Sequence, residues 1–136
     1  MSETDEMTCP KPGTVSWNEL ITPNTKASAE FYGKLFGWKT EPFTPQGAPA
    51  GSAPYTLFKL PGMERGVGGM MQPMQPGAPA HWLSYVVVEN IDAAVSKATQ
   101  FGAKVCVPVM AVGEVGRIAV IQDPLGAGIG LHEMPK

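Results

Sequence analysis

Hydrophobic and polar residues alternate along Val15–Thr22, and this alternation predicts a β-strand. Its two faces carry Trp17, Glu19 and Ile21 on one side and Asn18, Leu20 and Thr22 on the other. Pro23 ends the strand, and Asn24 or Thr25 can cap the helix that follows. Gly37 ends that helix, whose predicted core-facing stripe is Ala27, Phe31, Tyr32 and Leu35.

A second strand–helix–strand pattern follows a proline-rich stretch. Before that stretch, three strands and a loop are predicted, at Trp38–Phe43, Tyr55–Leu60 and Gly66–Gln72, with the loop at Thr44–Pro54. After it, Trp82–Val88 is a predicted strand, and Asn90 or Glu89 caps a helix that ends at Gly102. The stripe of that helix is Ile91, Ala94, Val95, Ala98 and Phe101, and the last strands are Ala103–Val109, Gly116–Gln122 and Gly128–Met134.

The two halves resemble each other at an offset of 65 residues over about 25 positions. Trp17 then falls on Trp82, Phe36-Gly37 on Phe101-Gly102, and Lys39 on Lys104. The predicted fold is α+β, with two βαβββ modules whose curled mixed sheets surround a cavity. The predicted organisation is a mobile tail over 1–12 and one domain over 13–136, with modules 13–72 and 81–136 joined by a connector over 73–80.

Composition narrows the function classes. Of the 136 residues 43% are hydrophobic and 16% charged, and the net charge of −2 gives no electrostatic support for nucleic-acid binding. Two cysteines, Cys9 and Cys106, do not form a disulfide framework or a zinc motif, and Cys106 is predicted to be an inert buried thiol. With no signal peptide and no apolar run long enough for a membrane span, a reduced cytoplasmic location without membrane contact is expected.

Several segments together resemble the vicinal-oxygen-chelate superfamily of glyoxalases, bleomycin-resistance proteins and dioxygenases. They are Trp17–Asn24, Ser28–Trp38, Gly68–Met71, Tyr85–Asp92 and Asp123–Gly126. The resemblance covers nearly the whole chain beyond the tail and implies the paired-module fold. It leaves the activity open, because that superfamily includes lyases, dioxygenases, thiol transferases and drug-sequestering proteins.

Metal-dependent members of the family carry ligands on the first, fourth, fifth and eighth strands. The resemblance places these positions at Trp17, near Met71, at Leu83 or Trp82, and at Gly130, which supply no carboxylate or imidazole. No metal or other cofactor is therefore expected. The alternative is a displaced divalent metal site formed by Glu19, His132 and His81.

The candidate site residues have ordinary structural interpretations as well. Glu19 is the candidate base or hydrogen-bond anchor, with a salt bridge to Arg117 or a lysine as the plain alternative. The candidate ligand-binding residues, which ordinary core packing also explains, are Trp17, Trp82, Ser84, Met71 and His132.

The leading hypothesis is a metal-independent, homodimeric protein that binds a small hydrophobic or aromatic molecule. A lyase, isomerase or hydroxylase-like enzyme using Glu19, with or without a displaced metal, is the alternative. A third hypothesis, a docking protein that uses the tail or the connector, has only the proline-rich segments in its favour.

Overall fold

Both helices begin at an asparagine cap. The side chain of Asn24 accepts a hydrogen bond from the Ala27 N–H, and the side chain of Asn90 accepts one from the Ala93 N–H, each at 3.0 Å. Helix α1 spans Thr25–Phe36 and helix α2 spans Ile91–Gln100. Gly37 ends α1 with φ of 76°, in the left-handed region that glycine adopts without strain.

The computed structural model of the chain describes residues 10–51 and 53–135. Its strands are β1 (Val15–Ile21), β2 (Lys39–Phe43), β3 (Tyr55–Lys59), β4 (Gly68–Met71), β5 (His81–Val87), β6 (Lys104–Ala111), β7 (Arg117–Gln122) and β8 (Gly128–Glu133). A 3₁₀ turn, Gly113–Val115, precedes β7. Most of the predicted 1–12 tail, residues 1–9, lies outside the described residues. The predicted strands and helices are all present, with ends that differ by a few residues, and the α+β class is confirmed.

The chain divides into two compact units, and two of the four boundaries lie inside strands β1 and β5. We call Trp17–Thr44 together with Ala50–Leu83 the front unit. The back unit contains the described residues up to Ser16, Pro45–Pro49, and the chain from Ser84 onward. The predicted division into modules at 13–72 and 81–136 stays a prediction.

In the front unit the strand order is β2-β3-β4-β1, and β1 runs parallel to β4 with Glu19 opposite Gly69. One face of this sheet packs on α1, because Leu20, Phe58 and Met70 form a buried core with residues of that helix. Helix contacts come from Ala29 and Tyr32. Phe31 and Leu35, which were predicted to face the core, are instead 58% and 57% exposed.

In the back unit the strand order is β5-β8-β7-β6, and β5 runs parallel to β8 with Tyr85 opposite Gly130. Its core contains Ile91, Ala119, Ile121 and Leu131, packed against Ala94, Val95 and Ala98 of α2. This confirms most of the predicted stripe of α2. Phe101, the last residue of that stripe, is 69% exposed.

The internal repeat has a different register from the predicted one. Asn24 and Asn90 are both caps, and Glu19 and Tyr85 both lie opposite a glycine of the parallel partner strand, so the offset is 66 in this region. An offset of 65 holds only after the helices, because α1 is longer than α2. Trp17 therefore corresponds to Leu83, and its predicted equivalence to Trp82 is wrong.

Candidate functional site

Glu19 lies on the face of the front sheet opposite α1. Its neighbour Leu20 points into the α1 core, and alternation along β1 places Trp17 and Glu19 on the other side. Glu19 is nevertheless only 6% exposed. A carboxylate removed from water needs polar partners, so its surroundings decide what it can do.

Tyr55 joins Trp17 and Glu19 into one hydrogen-bonded set, which we call the Trp–Tyr–Glu set. The indole Nε1–H of Trp17 donates to the Tyr55 hydroxyl at 2.8 Å. The Tyr55 side chain is also hydrogen-bonded to the Glu19 side chain. Because an ionised carboxylate only accepts, Tyr55 accepts from Trp17 and donates to Glu19.

Burial and the neighbouring carboxylate keep Tyr55 protonated. Burial is the largest cause that raises the pKa of Tyr55 far above its ordinary value of 10.0, and the nearby charge of Glu19 adds to it. The hydrogen bond from Trp17 lowers this pKa, and the hydrogen bond to Glu19 raises it. The phenol is thus held as a hydrogen-bond donor to the carboxylate.

The ring of Tyr55 occupies the space above Gly69. A Cβ at position 69 would overlap the hydroxyl and ring atoms of Tyr55, so a side chain there would displace the tyrosine. Gly69 lies opposite Glu19 in the parallel pair, which explains how a residue of β3 reaches a carboxylate of β1. The sequence reasoning missed Tyr55. In the sequence, the available signal was a tyrosine at the start of one predicted strand, followed by a second predicted strand that contains Gly68-Gly69.

Two other predicted ligand-binding residues of the front unit lie elsewhere. Trp82 is 43% exposed and donates through Nε1 to the Tyr32 hydroxyl at 3.2 Å. Its ring contacts Tyr32, Trp38 and Phe58 at centroid distances of 5.5, 6.4 and 6.4 Å, so Trp82 belongs to an aromatic cluster beside α1. Met71 is half-buried at the end of β4, opposite Ile21. Their predicted roles in ligand binding stay predictions.

The back unit contains His132 and Ser84. His132 is 9% exposed, and both of its ring nitrogens have partners: Nδ1 lies 3.1 Å from the Ser16 Oγ, and Nε2 lies 2.6 Å from the Val115 carbonyl oxygen. Ser84 is half-buried on β5. The sequence reasoning singled out His132 but not Ser16, whose contact spans 116 positions along the chain.

An ion-pair network in the back unit accounts for Arg117. Arg117 makes two bonds to the Glu133 carboxylate, at 3.1 and 3.0 Å, and one to Asp92 at 3.0 Å. These hydrogen bonds, to Glu133 first and Asp92 second, raise the pKa of Arg117. Glu133 also accepts from the Ile91 N–H at 2.8 Å, so it supports the start of α2. The network therefore links β7, β8 and the first turn of α2.

The residues present do not fit the metal site of the family. With the corrected register, the first- and fifth-strand positions are Trp17 and Leu83. At the eighth-strand position, a Cβ on Gly130 would overlap the ring of Tyr85, as one on Gly69 would overlap Tyr55. Among residues 10–51 and 53–135, no three His, Cys, Asp or Glu side chains are grouped closely enough to hold a metal ion.

Cys106 is exposed on β6, so the prediction of a buried thiol is wrong. β6 is the last strand in the order of the back unit, and its pairing with β7 has register shifts on both sides of Val107. The alternation of Val105, Cys106 and Val107 therefore does not indicate which side chain is buried. Cys9 lies outside the described residues.

Comparison with known proteins identifies relatives over most of the chain. Residues 14–131 match the model of the Glyoxalase/Bleomycin resistance protein/Dioxygenase superfamily. CFP32 of Mycobacterium tuberculosis, provisionally named a glyoxylase, is 34% identical over 127 residues, which are 90% of this chain and 46% of CFP32. The anthracycline biosynthesis protein DnrV of Streptomyces peucetius is 32% identical over 132 residues, covering 88% of this chain and 46% of DnrV.

The chain thus spans about half the length of these relatives. Among solved structures, methylmalonyl-CoA epimerase from Mycobacterium tuberculosis has a TM-score of 0.58 at 16% identity, over 96% of this chain and 95% of the epimerase. At that identity the likeness shows the fold alone. In the part of the chain that the structure describes, neither helix is long and apolar enough to cross a membrane.

Proposed function

Because this chain belongs to the glyoxalase/bleomycin resistance protein/dioxygenase superfamily, we propose that it binds a small hydrophobic or aromatic molecule without a metal ion. The proposed binding surface is the Trp–Tyr–Glu set of the front unit. The observation that carries the proposal is the buried Glu19 carboxylate, which is hydrogen-bonded to the Tyr55 phenol, while the Trp17 indole donates to that phenol.

The chemistry of the set defines the ligand that it fits. Trp17 and Tyr55 are both half-buried and offer aromatic surface to an apolar ring. The bond from Tyr55 shows that the Glu19 carboxylate accepts from an O–H donor on this face of the sheet. The preferred ligand is therefore an aromatic compound that carries an O–H or N–H donor. Some relatives are named for anthracycline biosynthesis, and that name is in keeping with an aromatic ligand.

Metal-independent binding is supported by the residues at the family's ligand positions. The side chains of Trp17 and Leu83 cannot ligate a metal ion and Gly130 has none, and tyrosine rings fill the space beside Gly69 and Gly130. Recognition would then rest on burial of the ring and on the carboxylate. Metal analysis of the purified protein tests this: stoichiometric zinc, iron, nickel or manganese would contradict it.

A homodimer in a reducing cytoplasm remains part of the proposal. The exposed apolar residues Phe31, Leu35 and Phe36 on α1 support self-association, because an exposed apolar stripe on a helix favours contact with another surface. Light scattering tests the dimer, and a monomer at micromolar concentration would remove it.

An enzyme that uses Glu19 as a base is the second candidate. The specific observation is that Glu19 is buried beside a tyrosine that stays protonated. In such an arrangement the carboxylate can take a proton from a substrate, and the hydrogen bond from the phenol keeps the carboxylate in position. The test is deuterium incorporation next to the carbonyl in a panel of ketones and thioesters. Exchange by the native protein that Glu19→Gln abolishes would support catalysis, and absence of exchange would favour a binding protein.

The binding proposal is tested with 2-naphthol and 2-methoxynaphthalene, which share a ring system and differ in the donor. Calorimetry should show 2-naphthol binding about 10- to 150-fold more tightly, as expected for a hydrogen bond to a charged group. Glu19→Leu should remove the difference, and the exposed control Glu30→Leu should keep it. Equal affinity of the native protein for both compounds, or binding of neither, would contradict the proposal.

A further inference from the structure

The segment Pro45–Pro49 lies between β2 and β3 in sequence but belongs to the back unit. Two hydrogen bonds attach it to the 3₁₀ turn. The Glu114 N–H donates to the Gln46 carbonyl at 2.7 Å, and the Gln46 N–H donates to the Glu114 carboxylate at 3.1 Å. We call Pro45–Pro49 the strap.

The turn is shaped to fit the strap closely. Gly113 has φ of 59°, and a Cβ on it would overlap the Gln46 carbonyl oxygen and would lie 2.7 Å from the Ala48 nitrogen. Any other residue at position 113 would therefore push the strap away. Because Gln46 and Glu114 are both exposed, water can replace their hydrogen bonds, and release of the strap has a small cost.

The 3₁₀ turn also determines which ring nitrogen of His132 carries a hydrogen. The Val115 carbonyl oxygen can only accept, so the His132 Nε2, 2.6 Å away, carries the hydrogen. In the neutral ring Nδ1 then holds the lone pair. The Ser16 hydroxyl lies 3.1 Å from Nδ1 and 3.5 Å from the Tyr85 carbonyl oxygen, and it donates to Nδ1 as the nearer acceptor. Neither nitrogen of the ring offers a lone pair to any other group in this arrangement.

We infer that the strap controls whether His132 can react. With the strap attached, the turn holds the Val115 carbonyl against Nε2, and Ser16 occupies Nδ1. When the strap and the turn move away, Nε2 loses its acceptor, and the imidazole can change tautomer and present a lone pair to a proton, an electrophile or a divalent metal ion. Gly113 and Glu114 are positioning residues in this device. The inference does not depend on the proposed ligand.

Diethyl pyrocarbonate tests the inference, because it acylates an imidazole nitrogen that has an available lone pair and releases ethanol and carbon dioxide. The chain has two histidines, and the exposed His81 serves as the internal reference. Peptide mapping of the native protein should show rapid modification of His81 and slow modification of His132. Equal rates at the two positions would overturn the inference.

Variants of the strap contact separate the device from general destabilisation. Glu114→Ala should raise the His132 rate roughly three- to tenfold, the factor expected for the loss of one ordinary, water-exposed hydrogen bond. Glu114→Gln keeps an acceptor oxygen and should restore protection. Gln46→Ala is the matched control, because Gln46 makes both of these bonds with backbone atoms. Gly113→Ala should give the largest increase.

Nitrogen NMR of the His132 ring provides a readout that loss of stability alone does not change. The native protein should show the Nε2–H tautomer, and Glu114→Ala should shift the population toward Nδ1–H, with Glu114→Gln returning it. If Gly113→Ala fails to fold by circular dichroism, the two Glu114 variants carry the test. An Nδ1–H tautomer in the native protein, or Glu114→Ala behaving as Gln46→Ala does, would overturn the inference.

Discussion

Replacing Tyr55 with phenylalanine removes one oxygen and leaves two partners without it. Trp17 loses the acceptor of its 2.8 Å hydrogen bond, and the buried Glu19 loses a donor. A neutral hydrogen bond contributes about 1 kcal/mol and one to a charged group about 1.5–3 kcal/mol, so Tyr55→Phe should lower the free energy of unfolding by about 2.5–4 kcal/mol. For a domain of this size, Tm should fall by about 5–15 °C.

Tyr32→Phe is the matched control within the same unit. Its hydroxyl also accepts from an indole N–H, that of Trp82, but at 3.2 Å and with the tryptophan 43% exposed. Denaturant unfolding should therefore give a loss below about 1 kcal/mol for Tyr32→Phe. A double-mutant cycle between Tyr55→Phe and Glu19→Gln should be non-additive by more than about 0.5 kcal/mol. Equal losses for the two Tyr→Phe variants, or an additive cycle, would refute the Trp–Tyr–Glu set.

The pH dependence of stability provides a second check on Tyr55. Its pKa is raised in the folded chain, so the unfolded chain releases this proton first as the pH rises above 10.0. The stability that this group contributes is therefore fully present below pH 10.0. It is lost as the pH rises from 10.0 toward the higher pKa of the folded state, by up to about 1.4 kcal/mol per pH unit. Tyr55→Phe should lack that part of the slope.

Three further outcomes follow from contacts outside the Trp–Tyr–Glu set. Gly130→Ala should cost about 1–3 kcal/mol by overpacking against the Tyr85 ring, and a truncated Tyr85 should relieve the loss in thermal unfolding. Glu133→Ala should lower the free energy of unfolding by about 2 kcal/mol, because the Ile91 N–H at the start of α2 loses a charged acceptor. The helical circular dichroism signal of the variant should be lost at a lower temperature than that of the native protein. Cys106 should react with a thiol reagent in the folded protein, and protection until unfolding would contradict its exposure.

Features that depend on residues close together in the sequence, such as the caps and ends of helices, were predictable. A short polar side chain at Asn24 and Asn90 reaches the backbone of the next turn, and Gly37 ends α1 without strain. The repeat and the α+β class follow from these signals and from the alternation of the strands. The predicted offset of 65 was wrong before the helices because the lengths of α1 and α2 differ, and no local rule fixes the last turn of a helix.

The candidate site was less predictable because its contacts join distant positions. Glu19 was identified from its place on a strand face, but Tyr55 reaches it from β3 across Gly69. His132 was identified as a candidate, but its partner Val115 lies in a 3₁₀ turn that no hydrophobic pattern indicates. Tertiary pairing, rather than propensity, decides which polar atoms meet.

We propose that the Trp–Tyr–Glu set binds an aromatic donor without a metal. A crystal structure of the protein with 2-naphthol is the decisive experiment. We expect the ring of the ligand against the Trp17 indole and the ligand hydroxyl within about 2.5–3.0 Å of a Glu19 carboxylate oxygen. Density for the ligand away from Glu19, or a metal ion beside the ligand oxygen, would contradict it.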